Sequence, residues 1–204
     1  MTGFFRIAVP LLALLLAAVP AQAKSEKYVI DPEHFSIALL VRHIGYFDLV
    51  GLFTEGAGSF VFDETKPEVT DIRVTIKTES YFSGHKKRDD HVRSADFLNA
   101  KEFPEMVFVG KSSEKTGDRT GKIHGELTFR GVTKPLTLDV TWLKSAEYPI
   151  GGGLFGGKPY VTGINARGAL KRSDFGMTYA VDNGLVGDEV TLIIGFEAQR
   201  QDSK

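Results

Sequence analysis

The sequence of 204 residues contains no cysteine. This absence excludes disulfides, cysteine-ligated zinc, iron–sulfur clusters and a thiol nucleophile. A basic excess is also missing, because 25 Lys and Arg stand against 26 Asp and Glu and the formal net charge is -1. Since nucleic-acid-binding proteins usually carry such an excess, we expect no nucleic-acid partner. Length and the 25% charged fraction favour a single globular domain.

The signatures of common enzyme classes are absent as well. The sequence has no Gly-x-Ser-x-Gly elbow and no dinucleotide fingerprint, and the glycines at 151–153 lack the Lys-Ser/Thr of a phosphate loop. Asp89 and Asp90 are adjacent, so they would lie on different faces of a helix and would not form a paired acid and base. We therefore expect no enzyme, no catalytic residue and no cofactor.

The first residues have the pattern of a secretory signal. Arg6 precedes an apolar stretch at 7–19, and Ala21-Gln22-Ala23 forms a small-x-small cleavage site. The apolar stretch is short for a bilayer span, although an uncleaved anchor stays open as an alternative. A lipoprotein anchor would need a cysteine. We predict a signal peptide at 1–23 and a mature single-domain protein at 24–204, located in a bacterial periplasm.

Apolar and polar residues alternate with a period of two through most of the mature chain. Ile72, Val74 and Ile76 share one face of a segment whose other face carries Arg73 and Lys77, which predicts a half-buried strand. The other predicted strands are 27–31, 35–44, 51–63, 105–112, 123–129, 136–142, 161–171 and 190–198. A single helix is predicted at 86–100, ended by Pro104.

Several of these strands approach ~10 residues, longer than the ~5–6 common in sandwiches. Long antiparallel strands close well into a barrel, which removes exposed edges. We therefore predict an all-β fold, an extended antiparallel eight-stranded lipocalin-like barrel with one short helix. Charged residues occupy the polar faces, so the apolar face points inward, unlike an outer-membrane barrel.

Such an interior either fills with side chains or holds one elongated ligand. Each buried CH₂ contributes ~0.8 kcal/mol, so an isoprenoid tail would supply the affinity and polar contacts to a headgroup would supply selectivity. The side chains predicted to line the cavity are Phe35, Ile37, Leu39, Val41, Phe60, Phe62, Ile72, Val74, Ile76, Leu127 and Phe129.

Seven segments together resemble the YceI family, over about 27–198. They are YVIDPEHFS at 28–36, VRH at 41–43, GLF at 51–53, RDDHVRSADFL at 88–98, FPEMVF at 103–108, GELTFRGVTK at 125–134 and RSDFGM at 172–177. The resemblance implies a periplasmic lipocalin-like barrel that binds polyisoprenoids or similar amphiphilic lipids, including isoprenoid quinones. One departure is Phe35, which separates His34 from Ser36 where the family has His-Ser, and it leaves the register there open.

Four polar residues are candidates for contact with a lipid headgroup: His43, Arg88, His91 and Arg172. His43 shares strand parity with Val41, so it is either a hydrogen-bonded core histidine or a headgroup donor. Arg88 either joins Asp89 in tying the helix to the barrel, as the resemblance implies, or meets an anionic headgroup. For Arg172 we expect an ion pair with Asp174 at a strand end, with a headgroup contact as the alternative.

One further histidine pattern is weighed as a metal site, and one more histidine is interpreted as structural. His85, Asp89 and His91 could meet at one helix end, but their spacing is much weaker than His-Glu-x-x-His, so a solvated, capped helix is favoured. His34 follows Asp31-Pro32 and is interpreted as a turn or cap residue. We predict no metal site.

The sequence therefore predicts a periplasmic protein that holds a long-chain isoprenoid or similar amphiphilic lipid for transport, storage or stress protection. One alternative is an accessory enzyme or electron-transfer partner that acts on a bound quinone or lipid. Another is a structural protein whose barrel is filled by side chains. The partners expected beside the lipid are transient ones, the inner membrane or a membrane redox protein, and a second copy in a homodimer.

Overall fold

The computed structural model describes residues 25–150 and 157–201, so the predicted signal peptide at 1–23 lies outside them. The described chain folds into ten strands and one α-helix. They are β1 (Glu26–His43), β2 (Phe47–Phe53), β3 (Gly56–Asp63), β4 (Glu68–Lys77), β5 (Tyr81–Phe82), α1 (Lys86–Arg93), β6 (Glu105–Lys115), β7 (Thr120–Phe129), β8 (Val132–Glu147), β9 (Tyr160–Lys171) and β10 (Val186–Gln201). No helix in the described part is long and apolar enough to cross a membrane.

The sheet closes on itself as a barrel. Neighbours follow the order β10-β9-β8-β7-β6-β4-β3-β1-β2-β5, and β10 also pairs with β1. The start of β1 pairs with β3 and its end pairs with β2, to which the short β5 is added. Eight antiparallel strands therefore form the closed barrel, so the predicted all-β eight-stranded fold with one short helix is confirmed.

The alternation of apolar and polar residues along each strand determines which side chains point into the core. On β7 the inward Ile123, Leu127 and Phe129 are buried, whereas Glu126 and Thr128 between them are exposed. Every strand that keeps this period of two places its apolar residues in the same interior.

The predicted strands at 27–31 and 35–44 form one continuous strand, β1, with a four-residue bulge at 31–34. Ile30 pairs with Ala198 and Phe35 pairs with Phe196, so residues 31–34 oppose Glu197 alone. In a regular strand Ile30 and Phe35 would face opposite sides. The bulge turns both inward, leaving them 3% and 8% exposed, and this is where Phe35 separates His34 from Ser36.

The predicted helix at 86–100 is wrong in its second half, because α1 ends at Arg93. Ser94 is extended, and its hydroxyl donates to the carbonyl of His91 at 2.7 Å. Asn99 has a φ of 48°, in the left-handed region. Local side-chain hydrogen bonds of this kind compete with helix, so Leu98 reaches the core through turns instead.

The two ends of the barrel carry different connections between strands. The helix end carries α1, the β1–β2 turn at 44–46 and the segment 172–185 between β9 and β10. The hairpin end carries the β3–β4 turn at 64–67 and the β6–β7 turn at 116–119.

Candidate functional site

An apolar cavity of about 430 Å³ occupies the barrel interior. Its wall extends from His91 and Tyr179 at the helix end to Asp118 and Thr120 at the hairpin end. This volume falls within the ~300–1,000 Å³ usual for ligand sites. The alternative of a barrel filled by its own side chains is therefore wrong.

The alternation of residues along the strands correctly predicted side chains of the cavity wall. All eleven predicted lining residues lie there: Phe35, Ile37, Leu39, Val41, Phe60, Phe62, Ile72, Val74, Ile76, Leu127 and Phe129. Leu39, Val41 and Val74 face inward yet are only partly buried, as expected of side chains that border unfilled space. Their contact with a ligand stays a prediction.

The wall also includes apolar side chains of β8, β9 and β10 that were not singled out from the sequence. They are Leu136, Leu138, Val140, Trp142, Ile164, Ala166, Leu170, Val190, Leu192, Ile194 and Phe196. The signal for many of them was present, since 136–142 and 190–198 show the same alternation as 69–78. Applying strand parity there would have found them.

Stacked aromatic rings stiffen one side of the wall. Phe60 stacks on Tyr28 with ring centroids 5.6 Å apart, and Phe62 meets Trp142 edge to face at 5.3 Å. The Tyr28 hydroxyl donates to Glu64 at 2.6 Å, and burial together with this carboxylate raises the pKa of Tyr28. Tyr28 therefore stays a neutral hydrogen-bond donor that fixes its own ring.

His43 lies on the cavity wall at the helix end and is half-buried. Its ring contacts Phe47, with centroids 5.7 Å apart. Within the described residues no side chain or backbone group hydrogen-bonds to the imidazole, so the interpretation as a hydrogen-bonded core histidine is wrong. A half-buried ring whose nitrogen atoms make no hydrogen bond to the described protein is a ready contact for a polar ligand group.

Arg88 is on the wall and ties α1 to the barrel. It donates from Nε to the Ser83 hydroxyl at 2.6 Å and from Nη2 to the Ser83 carbonyl at 2.8 Å. The buried Asp89 accepts from the Ser83 backbone N–H at 2.9 Å and from the Ser83 hydroxyl. Both side chains thus bind the residue that follows β5, the structural role that the resemblance implied.

The three donors considered for a metal have separate partners. His85 caps α1 through Nδ1, which accepts from the Arg88 N–H at 3.3 Å. Asp89 accepts hydrogen bonds from the backbone N–H and the hydroxyl of Ser83. His91 pairs with Asp96 at 2.8 Å and packs edge to face on Tyr179. A capped helix, as favoured from the sequence, is observed, and His91 also reaches the cavity wall.

Arg172 is only 2% exposed and reaches the cavity wall. It donates to three carbonyls, those of Gly187 at 2.8 Å, Met177 at 2.8 Å and Val186 at 2.7 Å. The expected ion pair with Asp174 is wrong, because the 3-10 turn Arg172–Phe175 buries Arg172 while Asp174 stays exposed. Burial lowers the pKa of Arg172, opposed by the nearby Asp188.

The two ends of the cavity differ in charge. At the hairpin end its charged lining has both signs: Glu114, Lys115, Asp118, Arg119 and Lys122. At the helix end the described lining residues include no carboxylate and five basic side chains: Arg42, His43, Arg88, His91 and Arg172. The helix end therefore suits an anionic group or a hydrogen-bond acceptor.

Comparison with known proteins agrees with this architecture. The sequence model of the YceI-like domain family matches residues 28–198 of this chain. Protein YceI of Salmonella arizonae is 38% identical over 185 residues, covering 91% of this chain and 90% of that protein. The crystal structure of the Campylobacter jejuni YceI protein is 30% identical, with a TM-score of 0.68, and the match covers 79% of this chain and 90% of that one.

A more distant structure shares the fold alone. A polyisoprenoid binding domain from Saccharophagus degradans, implicated in plant cell wall breakdown, matches with a TM-score of 0.59 at 10% identity, over 87% of this chain and 100% of that domain. The domain match over 28–198 and the 38% identity to the Salmonella protein decide the relationship. The chain belongs to the family of YceI-like domain proteins.

Proposed function

We propose that this protein binds one long-chain isoprenoid, or a similar amphiphilic lipid such as an isoprenoid quinone, inside its barrel in the periplasm. The observation that carries this function is the apolar cavity of about 430 Å³ that runs between the two ends of the barrel. The name of the Saccharophagus domain, which shares the fold, supports the ligand class. The signal pattern at 1–23 supports the location.

The affinity comes from the tail. Burial contributes ~0.8 kcal/mol for each CH₂, so several isoprene units outweigh the cost of ordering a flexible chain. A cavity walled by apolar side chains offers few groups that distinguish one tail from another. The selectivity between ligands is therefore set by contacts to the headgroup at the end of the tail.

The headgroup lies at the helix end, next to His43. The other candidates are engaged by the protein: Arg88 by Ser83, His91 by Asp96, and Arg172 by three carbonyls. His43 faces the same cavity with a free imidazole, which can donate to a quinone carbonyl or a phosphate oxygen. Because hydrogen bonds within the protein occupy Arg88, His91 and Arg172, few polar groups are left to act on a bound lipid. This favours a binding protein for transport, storage or stress protection over an enzyme.

Mass spectrometry of organic extracts tests the ligand class directly. Protein purified from a bacterial periplasm is expected to release a long-chain isoprenoid, and delipidated protein is expected to take up an isoprenoid quinone from detergent micelles. Repeated extracts without any long-chain species, combined with no quinone uptake, would show that the cavity has another use.

The variant His43→Leu tests the headgroup position. In competition between an isoprenoid quinone and a hydrocarbon of similar length, the wild type is expected to prefer the quinone by about threefold to tenfold, the value of one hydrogen bond. His43→Leu should bring this ratio close to one while keeping tail binding. His124→Leu, at a histidine bonded to Thr137 and absent from the cavity wall, is the control. An unchanged ratio in His43→Leu would show that the headgroup binds away from His43.

Seven of the ten large apolar side chains that are exposed in the described part of the chain lie in the helix half of the barrel. They are Ile44, Tyr46, Phe47, Val50, Phe82, Tyr179 and Leu185, with Tyr46 86% exposed. A rim of this chemistry supports the predicted transient contact with the inner membrane, because a lipid could pass from bilayer to cavity over an apolar surface. The membrane redox protein and the homodimer stay predictions.

A further inference from the structure

The bulge in β1 brings together, on the surface of the barrel, three side chains of types that can ligate a metal. Asp31 and His34 belong to the bulge, and Glu197 is the residue of β10 that the bulge opposes. One donor atom of each lies within 4.8 Å of the other two. None of the three lines the lipid cavity, so this cluster is separate from the site described above.

The distances fit one small cation. His34 Nδ1 lies 3.0 Å from Asp31 Oδ2 and 3.7 Å from Glu197 Oε2. Donor atoms around a tetrahedral zinc ion, bound at ~2.0–2.1 Å, are about 3.4 Å apart. The two measured distances lie on either side of this value, so small rotations of the side chains would bring the donors to ligand positions.

A proton on His34 satisfies this cluster only in part. An N–H at Nδ1 donates to Asp31, but 3.7 Å to Glu197 is beyond hydrogen-bond reach. A divalent cation in place of that proton would contact both carboxylates and neutralise their charge. One imidazole nitrogen and two carboxylates form a donor set that zinc accepts, with water completing the tetrahedron.

Neighbouring groups hold the ligands in place. Asp31 also accepts from the backbone N–H of Glu33 at 3.0 Å and lies 3.4 Å from the side-chain amide of Gln199, which donates to it. The nearby Glu197 carboxylate, first as a hydrogen-bond acceptor and then as a charge, raises the pKa of the Tyr148 hydroxyl, as does burial. Such contacts to ligating carboxylates orient them toward a metal. Buried Ile30 and Phe35 anchor the two ends of the bulge.

We propose that Asp31, His34 and Glu197 form a surface site for one divalent transition-metal ion, with zinc as the ion best matched to the donors. The sequence contained no signal for it, because Glu197 is far from His34 in the chain and only the pairing of β1 with β10 brings them together. The proposed metal site is independent of the proposed lipid binding, so a negative experiment on one proposal leaves the other unaffected.

Zinc titration by calorimetry tests the proposal on protein purified without a histidine tag and freed of metal by a chelator. The wild type is expected to bind one Zn²⁺ per chain. His34→Gln and Glu197→Gln should each weaken binding by at least about tenfold, since loss of even an outer contact costs about that much. His124→Gln is the matched control, because this half-exposed histidine has a single carboxylate, Glu114, at 3.4 Å.

Cobalt gives a second readout of the same site. Co²⁺ bound by the wild type should show the visible absorption of a tetrahedral ion, and Glu197→Gln should lose it while its circular dichroism stays that of the folded barrel. Absence of stoichiometric Zn²⁺ binding by the wild type would overturn the proposal. Binding that is equal in the wild type and in His34→Gln, or that is lost in His124→Gln as well, would also overturn it.

Discussion

Leu138→Trp is expected to weaken uptake of an isoprenoid lipid by about 100-fold or more while the barrel stays folded. Leu138 lies on β8, faces inward and is only partly buried because it borders the cavity. An indole at this position would occupy space that the tail needs. Displacing about four CH₂ groups removes ~3 kcal/mol of binding free energy, which corresponds to more than 100-fold in affinity.

The neighbouring residue gives the matched control. Thr137 is exposed on the outer face of the same strand, where it contacts His124. Thr137→Trp adds a similar side chain without entering the cavity, so lipid uptake should remain within about twofold of the wild type because no buried CH₂ contact is lost. Quinone uptake from micelles measures both variants. Full uptake by a folded Leu138→Trp variant would show that the lipid binds outside the barrel.

Arg172→Met is expected to lower the free energy of unfolding by about 3 kcal/mol or more. The substitution keeps much of the apolar stem but leaves the carbonyls of Gly187, Met177 and Val186 without their donor. Each buried polar group that loses its partner costs ~1–3 kcal/mol. The guanidinium also lies 5.6 Å from the ring of Phe97, so a cation–π contact is lost as well.

Urea unfolding followed by circular dichroism measures this change. Lys171→Met is the control, since Lys171 is exposed and immediately precedes Arg172. Its effect should stay within about 0.5 kcal/mol, as for other surface substitutions. A loss below about 1 kcal/mol in Arg172→Met would mean that the three carbonyls find other partners.

Strand parity made much of the cavity wall predictable. A β-strand sends alternate side chains to opposite faces, so Ile72, Val74 and Ile76 had to share one side whatever the rest of the chain did. Closure of the sheet then required that side to be the interior, because charged residues such as Lys77 occupy the other. Local spacing therefore fixes which residues share a face, and closure of the sheet turns that face inward.

The errors arose where residues distant in the sequence or capping groups compete with that spacing. The second half of the predicted helix is lost because the Ser94 hydroxyl bonds to the His91 carbonyl and Asn99 adopts a left-handed backbone. Arg172 turned inward to the carbonyls of Val186 and Gly187 at the start of β10 instead of pairing with Asp174. A sequence pattern does not show which distant backbone groups need a donor.

The sequence by itself determined the long strands and the apolar face that each one carries, because both depend on the period-two alternation of neighbouring residues. Only the tertiary structure decided that the interior stays open, that the His43 imidazole has no hydrogen-bond partner among the described residues, and that the bulge places His34 beside Glu197. These three features depend on how side chains from distant strands meet across the barrel and across the β1–β10 pairing. The physical reason is that packing and register between strands are properties of the whole closed sheet, whereas alternation belongs to each strand alone.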